Sequence, residues 1–156
     1  MSKIFEDYFS ELQADMVSIC LENVEDRADT VYIYCSCEDN VIASAYFYKI
    51  NGMVVDRHKL NDAINPEKEP MYDVSTERQG MVMVMDIINS DIKKLMQLCK
   101  EYNKEMPTQI KMIYDVKKNS LKVAYRYDLV YSNDPVKTAS NIGDDWFEEV
   151  KKENSR

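Results

Sequence analysis

The chain has 156 residues, 45% apolar and 31% charged, which fits a single domain over 1–156 burying roughly 70% of the surface its unfolded chain exposes. No uninterrupted apolar run approaches the roughly 20 residues a membrane-spanning helix needs, so no membrane association is expected. Twenty basic residues against 28 acidic ones leave a formal net charge of −8, which opposes attachment to a phosphate backbone, excludes nucleic acid as the expected ligand and suits a basic partner.

The start, Met1-Ser2-Lys3-Ile4-Phe5-Glu6-Asp7, has no basic segment followed by an apolar run, so the cytoplasm is the expected compartment. Over residues 3–23, Ile4, Phe5, Phe9, Leu12, Met16, Ile19 and Cys20 recur at three- and four-residue spacing. That spacing predicts an amphipathic helix with Ser2 available as N-cap and Glu6, Asp7, Glu11, Asp15 and Glu22 toward solvent. The period then changes to two. Residues 30–37 place Val31, Ile33, Cys35 and Cys37 on one side and Tyr32, Tyr34 and Ser36 on the other, the signature of a strand. Glu38-Asp39-Asn40 makes a turn, residues 41–50 a second strand, and Asn51-Gly52 a hairpin turn of the I′ kind leading to a third strand at residues 53–57. Residues 61–73, with Pro66 and Pro70 among charges, read as an irregular surface loop.

A second helix is predicted over residues 75–103, where Val84, Met85, Ile88, Ile92, Leu95 and Cys99 form a long stripe. Gly80 falls in its first turns and could mark where the regular helix begins; Pro107 follows its end. Residues 108–116 and 121–130, joined by Lys117-Lys118-Asn119-Ser120, read as a second hairpin. A tail helix starts within residues 134–140 and runs to about residue 152, turning Ile142, Trp146, Phe147 and Val150 inward. Asp134 with Pro135 makes one cap, and Thr138 or Ser140 would cap a later start. The order α-βββ-α-ββ-α with short turns predicts an α+β fold: an antiparallel sheet of about five strands, one face covered by long amphipathic helices in two layers.

One histidine, His58, excludes zinc sites that need two. Cys35 and Cys37 are too close for the usual metal spacing and lack a second pair, so Cys20, Cys35, Cys37 and Cys99 are expected as reduced, buried thiols, and no metal or cofactor is expected. Asp144, Asp145, Glu148 and Glu149 cluster on one side of the tail helix. They read either as a solvated face or as a contact for a basic protein. Eleven tyrosines against four phenylalanines is unusual. Alternation places Tyr46 with Tyr48, and Tyr125 with Tyr127, on shared strand faces, where the amphipathic ring suits sheet packing or an interface. The methionines Met81, Met83 and Met85 read as core.

The C-terminal half, with Met106-Pro107-Thr108, the hairpin through Ile110-Lys111-Met112-Ile113-Tyr114-Asp115 and Tyr125-Arg126-Tyr127-Asp128, then Tyr131-Ser132-Asn133-Asp134-Pro135 and Asp144-Asp145-Trp146-Phe147-Glu148-Glu149-Val150, carries a family pattern. With the acidic first helix and the Val31-Tyr32-Ile33-Tyr34 strand, it resembles the YezG/EsaG-like immunity proteins, antitoxins of bacterial polymorphic toxin systems. The resemblance implies a non-enzymatic cytoplasmic protein that binds and neutralises a cognate toxin domain, in several cases a nuclease. Arg27-Ala28-Asp29 stands where the family pattern has a tryptophan before the first strand, so a contact through that residue is not carried over. The leading expectation is an immunity protein that covers a basic toxin through Asp128, Tyr131, Asp134, Asp144, Asp145 and Glu148, with Tyr46 and Tyr48 as additions. Alternatives are a small-ligand-binding protein or hydrolase using the sheet face, and a homodimer or larger homo-oligomer using the methionine stripe.

Overall fold

The computed structural model describes residues 4–129 and 138–154. Its elements follow the predicted order: helix α1 (Phe5–Asn23), strands β1 (Thr30–Glu38), β2 (Val41–Ile50) and β3 (Met53–Asp56), a 3-10 turn at Leu60–Ala63, helix α2 (Glu77–Glu101), strands β4 (Gln109–Asp115) and β5 (Ser120–Arg126), and helix α3 (Ala139–Asn154). The strands form one antiparallel sheet in the spatial order β3-β2-β1-β4-β5. Both tight turns of the meander use left-handed backbone, at Asp39 and Asn40 and at Asn51 and Gly52, as two-residue I′ hairpins require. Gly52 donates its N–H to Asp29 Oδ2 at 2.8 Å, tying the second turn to the entry of β1.

Register decides what each side chain meets. Val31, Ile33 and Cys35 of β1 stand opposite Tyr48, Tyr46 and Ser44 of β2 and opposite Tyr114, Met112 and Ile110 of β4. All of these except Ser44 pack with Met16, Cys20, Val84, Ile88, Ile92 and Leu95 of α1 and α2 into the main core. The other face of β1 and β2, with Tyr32, Tyr34 and Phe47, packs under Trp146 and Val150 of α3. Phe47 stacks on Tyr32 and takes Trp146 edge-on, with ring centroids 4.6 and 5.2 Å apart. The expected two layers are therefore three. α1 and α2 cover one face and α3 covers the β1–β3 half of the other, because both faces of β1 are apolar or aromatic and each requires a cover.

The helix ends depart from expectation in detail. At the start of α1, Asp7 accepts the Ile4 N–H at 3.1 Å; Ser2, the expected cap, lies outside the described residues. α3 begins at Ala139 with Thr138 and Asn141 bonded reciprocally: Thr138 N–H donates to Asn141 Oδ1 at 2.9 Å, and Asn141 N–H to Thr138 Oγ1 at 3.3 Å. The later of the two starts is the one observed; Asp134 and Pro135 lie outside the described residues.

The segment expected as a loose surface loop is pinned. Asn61 and Tyr72 exchange two hydrogen bonds, Ile64 and Tyr72 are buried, and Tyr72 donates its hydroxyl to the Val24 carbonyl. Arg27 reaches Glu69 Oε1 and the Pro70 carbonyl, both at 2.6 Å, and stacks over the Tyr72 ring. The guanidinium holds the Glu69 carboxyl below its ordinary pKa.

Candidate functional site

The acids of α3 lie where the helical period puts them. With Trp146 and Val150 buried against the sheet, Asp144, Asp145, Glu148 and Glu149 are exposed on the opposite side of the helix. α1 presents Glu6, Asp7, Glu11 and Glu22 to solvent on the far side of the sheet. The molecule therefore carries two acidic faces, separated by the sheet.

The remaining expected contact residues fare differently. Asp128 is exposed but forked by Arg126, with Nη2 to Oδ2 at 2.6 Å and Nε to Oδ1 at 3.1 Å. That pairing lowers the Asp128 pKa and neutralises much of its charge. Arg126 belongs to a short basic stripe: Lys111, Lys122 and Arg126 share the sheet face on which α3 packs, with the Lys111 ammonium 5.4 Å over the Trp146 ring. Tyr131 and Asp134 lie outside the described residues.

Tyr46 and Tyr48 do share a face, as alternation predicts, but it is the core face, and both are fully buried. The Tyr48 hydroxyl donates to the Cys20 carbonyl at 2.7 Å, and the two rings meet edge to face. They are therefore not surface contacts: α1 and α2 cover the tyrosine side of β2, and a hydroxyl that finds a backbone carbonyl can be buried at little cost.

The single histidine, His58, pairs with a carboxylate rather than a thiol. His58 Nδ1 lies 3.2 Å from Asp56 Oδ1. Burial pushes the thiols up, Cys35 to about 12, which leaves negligible thiolate at neutral pH. Among the described residues no group of three or more His, Cys, Asp or Glu side chains could hold a metal ion. No described helix is long and apolar enough to cross a membrane.

Two features lie outside the expectations drawn from the sequence. The first is a carboxyl pair between α1 and α2: Asp91 is 1% exposed and contacts the carboxyl of Asp15, with Lys94 Nζ 3.9 Å away. Burial and the second carboxyl push Asp91 up to about 7.

The second is a groove between α1 and the outer strand β5. Register places Leu121, Val123 and Tyr125 of β5 on the helix-covered side of the sheet; Val123 packs against the core, while Leu121 and Tyr125 stay exposed. Gln13 Nε2 donates to the Tyr125 hydroxyl at 2.8 Å and divides the groove in two. Toward the start of α1 lies a hollow of about 430 Å³ lined by Phe5, Phe9, Tyr125, Tyr127 and Pro107, with Glu6, Lys104 and Glu105 among its polar residues. Toward the end of α1 lies another of about 510 Å³, lined by Val17, Leu21, Tyr114 and Leu121, with Glu22 and Asp26. Leu121, Tyr125 and Tyr127 are 37, 40 and 50% exposed.

Comparison with known proteins is brief. No family model matches the chain, and no curated protein matches it. The functional reading therefore rests on the surfaces themselves. The shared face of Tyr125 and Tyr127 is legible as alternation; its meeting with Phe5 and Phe9, more than 100 positions away, is not.

Proposed function

We propose that this protein is an immunity protein, an antitoxin that binds and neutralises a basic toxin domain of nuclease type, and that its role is binding rather than catalysis. The observation that carries the reading is the pair of acidic helix faces, α1 with Glu6, Asp7, Glu11 and Glu22 and α3 with Asp144, Asp145, Glu148 and Glu149, on a chain of net charge −8. A nuclease surface must be cationic to hold a phosphate backbone. An acidic protein steers toward such a surface, competes with its substrate and disfavours other acidic partners. The resemblance in element order and aromatic-acidic segments supports the same reading.

The test is co-purification of the tagged chain from its native host, together with expression of the toxin-like domain encoded beside it. A basic domain should be recovered and its nuclease activity suppressed at equimolar ratio. Reversing Asp144→Lys and Asp145→Lys together should slow association and flatten its dependence on salt. Recovery of no basic domain, or unchanged nuclease activity in its complex, would overturn the proposal.

A further inference from the structure

The helical layer over the sheet holds two helices, α2 and α1, and ends before β5. On the opposite side of the sheet β5 shows Lys122 and Arg126, so its large apolar residues all point into the groove beside α1. Leu121, Tyr125 and Tyr127 leave apolar surface exposed along this groove, and an apolar patch of that kind marks a place where another chain packs. From Phe9 to Leu21 the groove wall runs twelve residues of α1, about 18 Å at 1.5 Å per residue, which matches three to four turns of a second helix laid alongside.

The ends of the groove are acidic. Glu6 and Glu105 stand at one end with Lys104, whose ammonium sits 5.8 Å over the Phe5 ring. Glu22 and Asp26 stand at the other with no basic residue in the lining. A second copy of this chain, itself at −8, is a poor electrostatic match for such a rim.

We propose that the groove between α1 and β5 docks an amphipathic helix of a basic protein partner, with its apolar stripe on Phe9, Leu121, Tyr125 and Tyr127 and cationic residues at its ends against Glu6, Glu22 and Asp26. This rests on the reading of the protein as an antitoxin for a basic domain, and it divides the work between surfaces. The acids of α3 lie on the other side of the sheet and act at a distance, on the rate of encounter; the groove holds the bound partner and sets its rate of departure.

Association and dissociation of the co-encoded basic domain are measured on the immobilised full chain. Tyr127→Ser and Leu121→Ser, one in each hollow and both at exposed positions, should each speed dissociation about tenfold with association within twofold of the parent. Glu22→Lys, a charge reversal at the rim that alters no packed side chain, should slow association and speed dissociation more mildly, and hydrogen exchange should show protection of α1 and β5 on binding. Dissociation unchanged in all three variants, with association still slowed by reversal of Asp144 and Asp145, would overturn the groove and leave the antitoxin reading standing. A chain that dimerises through the groove, with dimerisation but not partner binding lost in Tyr127→Ser, would overturn it in favour of a second copy. Absence of any binding by the parent chain would overturn both.

Discussion

Asp91 stands where the apolar stripe of α2 calls for a hydrophobic residue, one turn after Ile88 and one turn before Leu95. Its Oδ2 is buried and receives no hydrogen bond when both carboxyls are ionised. A proton on Asp91 supplies the missing donor. Because the folded state raises this pKa to about 7, the folded chain keeps a proton that the unfolded chain gives up near pH 4. Stability should therefore fall as pH rises from about 4 to 7 and level off above. Asp91→Asn provides a permanent donor. It should stabilise the protein at pH 8 by on the order of 2 kcal/mol, with the advantage vanishing near pH 4; parallel thermal unfolding curves across that range would contradict the assignment. The sequence carries the signal for this pair as a carboxylate inside an apolar stripe. The faces of Tyr46 and Tyr48 carry none, because a period of two says which side chains point together and leaves open which side of the sheet becomes the core.

Among the elements, α2 shows why a glycine occupies its first turn. A Cβ on Gly80 would run into the side-chain oxygen of Asn23, so the glycine leaves room for that side chain where the end of α1 meets the start of α2. Asn23 cannot yield freely, since its side chain also contacts the Tyr48 hydroxyl. Replacing Gly by Ala in a helix ordinarily gains about 1 kcal/mol. Here Gly80→Ala should lower the melting temperature instead, and in an Asn23→Ala background the same change should be neutral or stabilising, which a double-mutant cycle would measure. The regular helix already begins at Glu77, so the glycine marks a crossing point rather than a start. Strand limits are legible in the sequence within a residue or two for most strands, because turn dipeptides and β-branched runs act locally. The side on which α3 packs is not: Trp146 and Val150 define an inward face but do not say which face of the sheet receives it.

For the molecule as a whole, the sheet order joins pieces that are distant in the chain. β1 is central, paired with β2 through a tight turn and with β4 across roughly 70 to 85 positions. That long-range pairing also creates the groove, since it brings β5 beside α1, and for this reason local patterns do not reveal the groove. The two acidic helix faces, by contrast, follow from helical period alone and are legible in the sequence. The same topology has a consequence for synthesis. As the chain leaves the ribosome, α1, the β1–β3 meander and α2 emerge complete while one long edge of β1, rich in Val, Ile and Tyr, has no neighbour until β4 follows. A chain ending after α2, at residue 105, should accordingly self-associate through that open edge, detectable by light scattering, while the full chain should not. β4 thus serves as a built-in chaperone for the half that precedes it.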